Sequence, residues 1–391
     1  MSRSADAMIA GVGQTRIERH SDRPDEEWLA EAIRLALDDA GLRRSQVDGL
    51  AVGTISIPDD TGHIAEHLGF ELSWAMKADF GGASTLIGLA RARDAIRCER
   101  ADVVVVAAGG NRLDSPSLAH DRRTPPLDYS LRNYAAPFGY AEPNGFFALL
   151  QQRHMHEHGT TLDQLGKIAT TFRSNAMLNE DALLQEPMSL EDYLGSRLIA
   201  DPIRRADCVM RCAGGAAIVL VSERVAVELE RKPVHLGAYG ERIAHQTLGP
   251  QQDRLEMGFA AFAAELFART PRDAMDFAQL YDDYPIAVIM MLESLGFAER
   301  GGGGRFIEDT DISLGGELPL NTGGGQLSIG QPSLAGGALH LVEAVRQLRG
   351  EAGLRQLPDP EVGLVTGIGM LSVMGNVTAA AGLIVGKEAF A

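Results

Sequence analysis

At 391 residues the chain is too long for one simple core, and its length suggests two or three domain-sized units. Hydrophobic residues make up 45% and charged residues 23%, as in soluble globular proteins, and no apolar run is long enough to span a bilayer. The formal net charge of −17 argues against nucleic acid as a partner, because phosphate binding needs a basic surface; it leaves room for an anionic ligand held by a few local basic residues.

The opening MSRSADAMIAGVG has neither a long apolar core nor a cleavage-site pattern, so a reduced, cytoplasmic protein is expected. Met8 to Val12 reads as a short buried strand. Glu26 to Leu42 shows helical spacing of Trp28, Leu29, Ala32, Ile33 and Ala36, with Gly41 ending the helix. Val47 to Val52 is the next strand, completing a βαβ unit. Ala83 to Cys98 reads as a small-residue helix, and Val103 to Gly110 as a central strand apolar on both faces.

From about Asn111 to Pro202, Pro, Tyr, Arg and His become common, which reads as an inserted, mostly helical region. Gly214 to Ser222 is another buried strand. From Pro233 the chain starts again, with a strand at Val234 to Gly237, a helix closing at Glu293 to Phe297, and a helix at Leu334 to Arg349. Strands follow at Val362 to Thr366 and Thr378 to Val385. A glycine-rich turn, small-residue helix and buried strand thus occur twice, at 81–110 and 323–369, which points to an internal duplication.

Three cysteines, Cys98, Cys208 and Cys212, are too few and too scattered for a disulfide framework, and no second pair completes a zinc site. The run Arg153–His158 places His154 and His158 four apart on a helix without an indicated third ligand. A solvated helix face is the expectation there, not a metal site.

Four segments can carry chemistry. Asp79-Phe80-Gly81-Gly82-Ala83-Ser84 puts glycines at a helix N-terminus, where free N–H groups face an anion, although a plain strand-to-helix turn reads the same way. Tyr281-Asp282-Asp283-Tyr284-Pro285 offers a phenol and two carboxylates for proton transfer, or, equally, an N-cap before Pro285. Leu320-Asn321-Thr322-Gly323-Gly324-Gly325-Gln326 followed by Ile329-Gly330-Gln331-Pro332 marks close backbone packing or ligand approach, and Thr366-Gly367-Ile368-Gly369-Met370 ends a buried strand.

In order and spacing, these segments resemble the thiolase superfamily, most of all its sterol carrier protein X-type and lipid-transfer-protein-like branch. The resemblance spans essentially the whole chain and includes AGVGQTRIERHSDRP, ADVVVVAAGGN, YDDYPIAVIMMLESLGF, LNTGGGQLSIGQP and VTGIGM. It implies an α/β thiolase fold: two duplicated βαβαβαββ halves in five α-β-α-β-α layers, at 1–230 and 231–391, with a helical loop domain inserted at about 111–205. It also implies a homodimer, a coenzyme A thioester as substrate, no covalently bound cofactor and no metal. Members of the branch that cleave sterol side chains work with a small OB-fold, zinc-ribbon, acyl-CoA-associated subunit, and such a partner is expected here.

The resemblance places the family's nucleophilic cysteine at Gly82, its HDxF histidine at Tyr281, its GHP histidine at Gln331 and its second cysteine at about Val365. All four side chains depart from the pattern, and glycine cannot form an acyl-enzyme. What the resemblance retains is the pair of backbone turns at Gly82 and Gly367, an oxyanion hole in the family. That hole can stabilise the enolate of retro-aldol C–C cleavage of a β-hydroxyacyl-CoA. Tyr281 is then the expected base, tuned by Asp282 or Asp283, with Gln331, Asn321, Gly324 and Ser84 contacting substrate. Such aldolases would carry a second tyrosine near the glycine-rich loop, and none stands at 323–337. Two alternatives remain open: a non-catalytic acyl-CoA-binding subunit, and an acetyl-CoA acetyltransferase or other acyltransferase using a relocated cysteine.

Overall fold

The computed structural model describes residues 6–53, 60–111, 133, 136–139, 143–243, 253–371 and 377–390. Residues 1–5 and much of the start of the expected insertion, 112–132, lie outside them. Among the described residues nine strands form one sheet: β1 (Ala7–Gln14), β2 (Gly49–Gly53), β3 (Trp74–Lys77), β4 (Val103–Gly110), β5 (Gly214–Ser222), β6 (Val234–Ile243), β7 (Phe277–Gln279), β8 (Val362–Leu371) and β9 (Val377–Gly386). Their order is β7-β8-β9-β6-β1-β5-β4-β2-β3.

The order splits into two similar runs. In the first, β5 pairs antiparallel with both β1 and β4, and β2 runs parallel to β4. In the second, β9 pairs antiparallel with both β6 and β8, and β7 runs parallel to β8. The runs meet where β1 lies antiparallel to β6, pairing Met8 with His235 and Ile9 with Val234.

The helices that pack on this sheet or build the site are α1 (Asp25–Ala40), α2 (Ser84–Arg97), α3 (Pro143–His158), α4 (Leu162–Ala176), α5 (Pro285–Leu295), α6 (Gly325–Ile329) and α7 (Gly336–Arg349). Helices α2 and α7 each touch strands of both runs and also touch each other, so they lie between the two parts of the sheet. Alternating strand residues divide accordingly. On β4, Val104, Val106 and Ala108 face the central layer, while Val103, Val105 and Ala107 pack against α1 on the outside. On β9, Ala379, Ala381, Leu383 and Val385 face the central layer, while Ala380 and Ile384 face the layer that holds α5. Five layers result, α-β-α-β-α, as in the thiolase fold.

Helix ends follow local chemistry. Gly41, Gly296 and Gly350 adopt positive φ at the ends of α1, α5 and α7, where a side chain on Cβ would be strained. Between β4 and β5 the described residues hold α3, α4, a short helix at Leu190–Gly195 and the hairpin Leu198–Arg204. Here the expectation for the histidine run needs correction. His154 is fully buried, not solvated: its ring bonds Thr160 Oγ1 (2.7 Å) and Glu293 Oε1 (3.0 Å) on α5. Burial alone would raise the Glu293 carboxyl, but His154 and the Gly303 N–H outweigh it and hold it below its usual range. Of the three histidines in the run only His156 is exposed, alongside Arg153 and Glu157.

Candidate active site

The N-terminus of α2 is reached through a turn at Phe80–Ala83, with Gly81 at positive φ. Ser84 holds this turn. Its hydroxyl donates to Gly81 O (2.6 Å) and accepts from Phe80 N (2.9 Å), and the residue is fully buried. The turn is seated on glycines from the second half of the chain. A Cβ on Gly337 would lie 2.5 Å from Gly82 O, one on Gly367 would lie 2.9 Å from Ala83 Cα, and one on Gly369 would lie 2.8 Å from Gly82 N. Gly82 and Gly367 are therefore brought together. The central position belongs to Gly82, because a Cβ there would overlap Cζ and Oη of Tyr281. The tyrosine ring fills the space a side chain at 82 would need.

Tyr281 follows β7 and leads into α5. Its N–H donates to Thr366 Oγ1 (2.9 Å), and its hydroxyl accepts from Gln331 Nε2 (3.2 Å). The ring meets His340 edge-on, with centroids 6.0 Å apart. Burial, and next the Asp283 charge, push the phenol well above its ordinary pKa, so Tyr281 is a neutral hydroxyl at physiological pH.

The two aspartates that follow have different work. Asp282 is fully buried and accepts from Gln326 N (2.9 Å) and Leu327 N (3.1 Å), satisfying the first turn of α6. His340 Nε2 stands 3.1 Å from Asp282 Oδ1, out of line for a hydrogen bond. Asp283 is partly exposed, and its Oδ1 accepts from the same Gln331 Nε2 that bonds Tyr281 (3.1 Å). Desolvation, then the Asp282 charge, raise the Asp283 carboxyl to about 7 against the lowering effect of Gln331. Neither aspartate caps α5: its N-cap position is Tyr284, with no side-chain bond.

The glycine-rich loop supports this arrangement from below. Asn321, at positive φ, pairs its amide with Leu280 in both directions: Oδ1 accepts from Leu280 N (2.7 Å) and Nδ2 donates to Leu280 O (2.8 Å). Its side chain is thus fully used in fixing the residue before Tyr281. Gly324, also at positive φ, abuts Ala176 of α4, where a Cβ would come within 2.5 Å. Thr322 donates to Glu343 Oε1 (2.8 Å), which Arg355 holds from two nitrogens, with both charges buried. Val365 faces the central core, and Thr366 beside it bonds Tyr281.

Gln326, Thr366 and His340 carried no weight in the sequence. Gln326 is 1% exposed, with neither amide atom bonded; Thr85 Oγ1 and Ser333 Oγ are likewise buried and unbonded. The sequence signal was slight: one amide in a glycine run, and one histidine in a helix of small residues.

The cysteines are poor nucleophile candidates. Cys98 is exposed at the far end of α2. Cys212 is fully buried beside Gly330, and burial pushes its thiol up; burial and Asp207 push Cys208 up to about 12.

A family model for the thiolase C-terminal domain-like group matches residues 240–381. The chain is 32% identical over 359 residues to a steroid side-chain-cleaving aldolase of Thermomonospora curvata, covering 88% of this chain and 90% of that one. It is 30% identical over 378 residues to an acetyl-CoA acetyltransferase of Methanothermobacter thermautotrophicus, covering 93% and 96%. Among solved structures, the Ltp2-ChsH2(DUF35) aldolase superposes with a TM-score of 0.85 at 31% identity, covering 97% of both chains. Fold, layer order and relatives agree: the chain belongs to the thiolase superfamily, in the branch that holds the sterol carrier protein-type thiolases and the steroid side-chain-cleaving aldolases.

Proposed function

We propose that the protein is an acyl-CoA lyase that cleaves the Cα–Cβ bond of a β-hydroxyacyl-CoA by a retro-aldol reaction, giving an aldehyde or ketone and a shortened acyl-CoA. The observation that carries this reading is the Tyr281–Gln331–Asp283 cluster, in which one amide nitrogen bonds both a neutral phenol and a carboxyl with a pKa of about 7. A carboxyl titrating near the working pH is suited to accept and return a proton. Tyr281 and Asp283 act together as the base. The β-hydroxyl proton passes to the pair, with Asp283 the final acceptor, and the C–C bond breaks into a carbonyl product. The electron pair moves onto the thioester as an enolate, stabilised at the turn of Gly82 and Gly367. The proton then returns to Cα, and no co-reactant is consumed.

The aldolase relative and the Ltp2-ChsH2(DUF35) aldolase support the lyase reading and a small partner subunit, for which an OB-fold, zinc-ribbon protein is part of the proposal. A homodimer, a cytoplasmic location, and a division into halves at 1–230 and 231–391 belong to the same proposal. No described helix is long and apolar enough to cross a membrane. The acetyltransferase relative keeps acyl transfer as the competing activity, against which the raised Cys208 and Cys212 thiols count.

The test is to incubate the protein, with the partner subunit, with a β-hydroxyacyl-CoA and follow carbonyl product and shortened acyl-CoA by mass spectrometry. Tyr281→Phe and Asp283→Asn should each slow cleavage by about 10²–10⁴-fold. No cleavage with the partner present removes the lyase reading, and an acylated cysteine replaces it with acyl transfer.

A further inference from the structure

The amide of Gln326 lies against the first residue of α7, where its Oε1 would overlap a Cβ on Gly336. The next residue, Gly337, abuts Gly82 O, and the space above Gly82 holds the Tyr281 ring. Gln326, the N-terminus of α7 and Tyr281 therefore border one small volume. The amide lies beside the Tyr281 hydroxyl, but neither of its atoms makes a well-formed hydrogen bond. Thr85 Oγ1 and Ser333 Oγ, also buried and unbonded, belong to the first turn of α2 and to the approach to α7. Buried polar groups in folded proteins are almost always bonded, so a cluster of exceptions at one place points to a ligand that completes them.

We propose that Gln326 binds the β-hydroxyl of the substrate and so selects β-hydroxyacyl thioesters over plain acyl thioesters. The inference rests on the lyase reading and adds the specificity-determining contact to it. An amide presents one acceptor and a pair of donors, and both ends of Gln326 lack partners. A thioester carbonyl or a β-ketone only accepts, and would leave Oε1 bare. A hydroxyl donates to Oε1 and accepts from Nε2 in the resting complex; for cleavage it turns its single proton to Tyr281 while Nε2 keeps hold of the oxygen. Gln326 contributes little to the fold, because α6 is held through its backbone by Asp282.

The experiment compares two thioethers that lack the carbonyl and cannot be cleaved, S-(3-hydroxydecyl)-CoA and S-decyl-CoA, by calorimetric titration of the full chain and of Gln326→Leu. The wild type should bind the hydroxylated ligand about tenfold or more tightly. Gln326→Leu should lose that preference, keep its affinity for S-decyl-CoA within about twofold, and melt no lower than wild type. A wild type without the preference, a variant that keeps it, or a variant that melts well below wild type overturns the inference. Cleavage assays decide the lyase reading separately: cleavage without the preference leaves the lyase standing and removes Gln326. The preference without cleavage keeps Gln326 as the hydroxyl contact and removes the lyase. If the wild type binds neither thioether, the inference about Gln326 falls, and the cleavage assay alone decides the lyase reading.

Discussion

The ring of Tyr281 stands in the volume that a side chain at position 82 would occupy, so Gly82 and Tyr281 form one unit in which the absence of one side chain permits the other. Gly82→Ala should therefore displace the phenol, costing about 1–3 kcal/mol of stability, the usual range for overpacking a buried site, together with most of the activity. In a Tyr281→Ala background, where the overlapping ring is gone, Gly82→Ala should cost little further stability, and cleavage should stay lost. A Gly82→Ala protein with wild-type melting and turnover would show that the two residues do not compete for space.

As the proposed base, Asp283 should set the pH dependence. With its carboxyl raised to about 7, kcat/KM should climb through pH 7 as the base ionises, and Asp283→Asn should flatten that limb. Gln331 lowers this pKa, so Gln331→Leu should move the limb to higher pH. The stability effect has the opposite sense. A folded-state pKa above the unfolded value means that the folded protein binds the extra proton, and this contribution is full below about pH 4. It is lost as pH rises to about 7, so Asp283→Asn should gain stability over wild type above pH 7, read by urea unfolding across pH.

The neighbouring carboxylate should behave differently. Asp282 satisfies two N–H groups of α6 and is fully buried. Asp282→Ala should lower stability by about 1–3 kcal/mol, the cost of leaving buried donors unmet. Because the Asp282 charge helps raise the Asp283 carboxyl, the variant's remaining activity should show its pH limb moved to lower pH.

The Glu343–Arg355 pair anchors the loop at Thr322 with both charges buried. Arg355→Met leaves Glu343 uncompensated and should cost about 3–5 kcal/mol. Glu343→Gln with Arg355→Met should recover much of that loss, and additivity of the two in urea titrations would argue against the pairing.

The strands whose residues are apolar on both faces were legible. Val103–Gly110 and Gly214–Ser222 match the structure end for end, because burial on both sides leaves a continuous apolar run. Strands β6 and β8 run further than their apolar stretches, to Ile243 and Leu371. Their later residues include Gly and charged side chains, and pairing with β9 extends them where composition does not. Within the site, Tyr281, Asp283 and Gln331 stood in the right segments. Which aspartate faced Tyr281 was not legible, because α6, which claims Asp282, comes from more than forty residues downstream. The burial of His154 depended on Glu293, 139 residues away, and Gln326 became notable only through what it fails to contact.

The seating of the Phe80–Ala83 turn on Gly337, Gly367 and Gly369 gives the duplication a meaning beyond architecture. Helices α2 and α7 hold corresponding places in the two runs of the sheet, and their leading ends meet where Gly337 abuts Gly82. One copy contributes the turn, and the other contributes the bare backbone on which it rests along with the Tyr281–Gln331–Asp283 cluster. The copies have therefore become asymmetric and interdependent, like two subunits of a heterodimer fused into a single polypeptide. Neither repeat could lose its glycines or its turn without disabling the other.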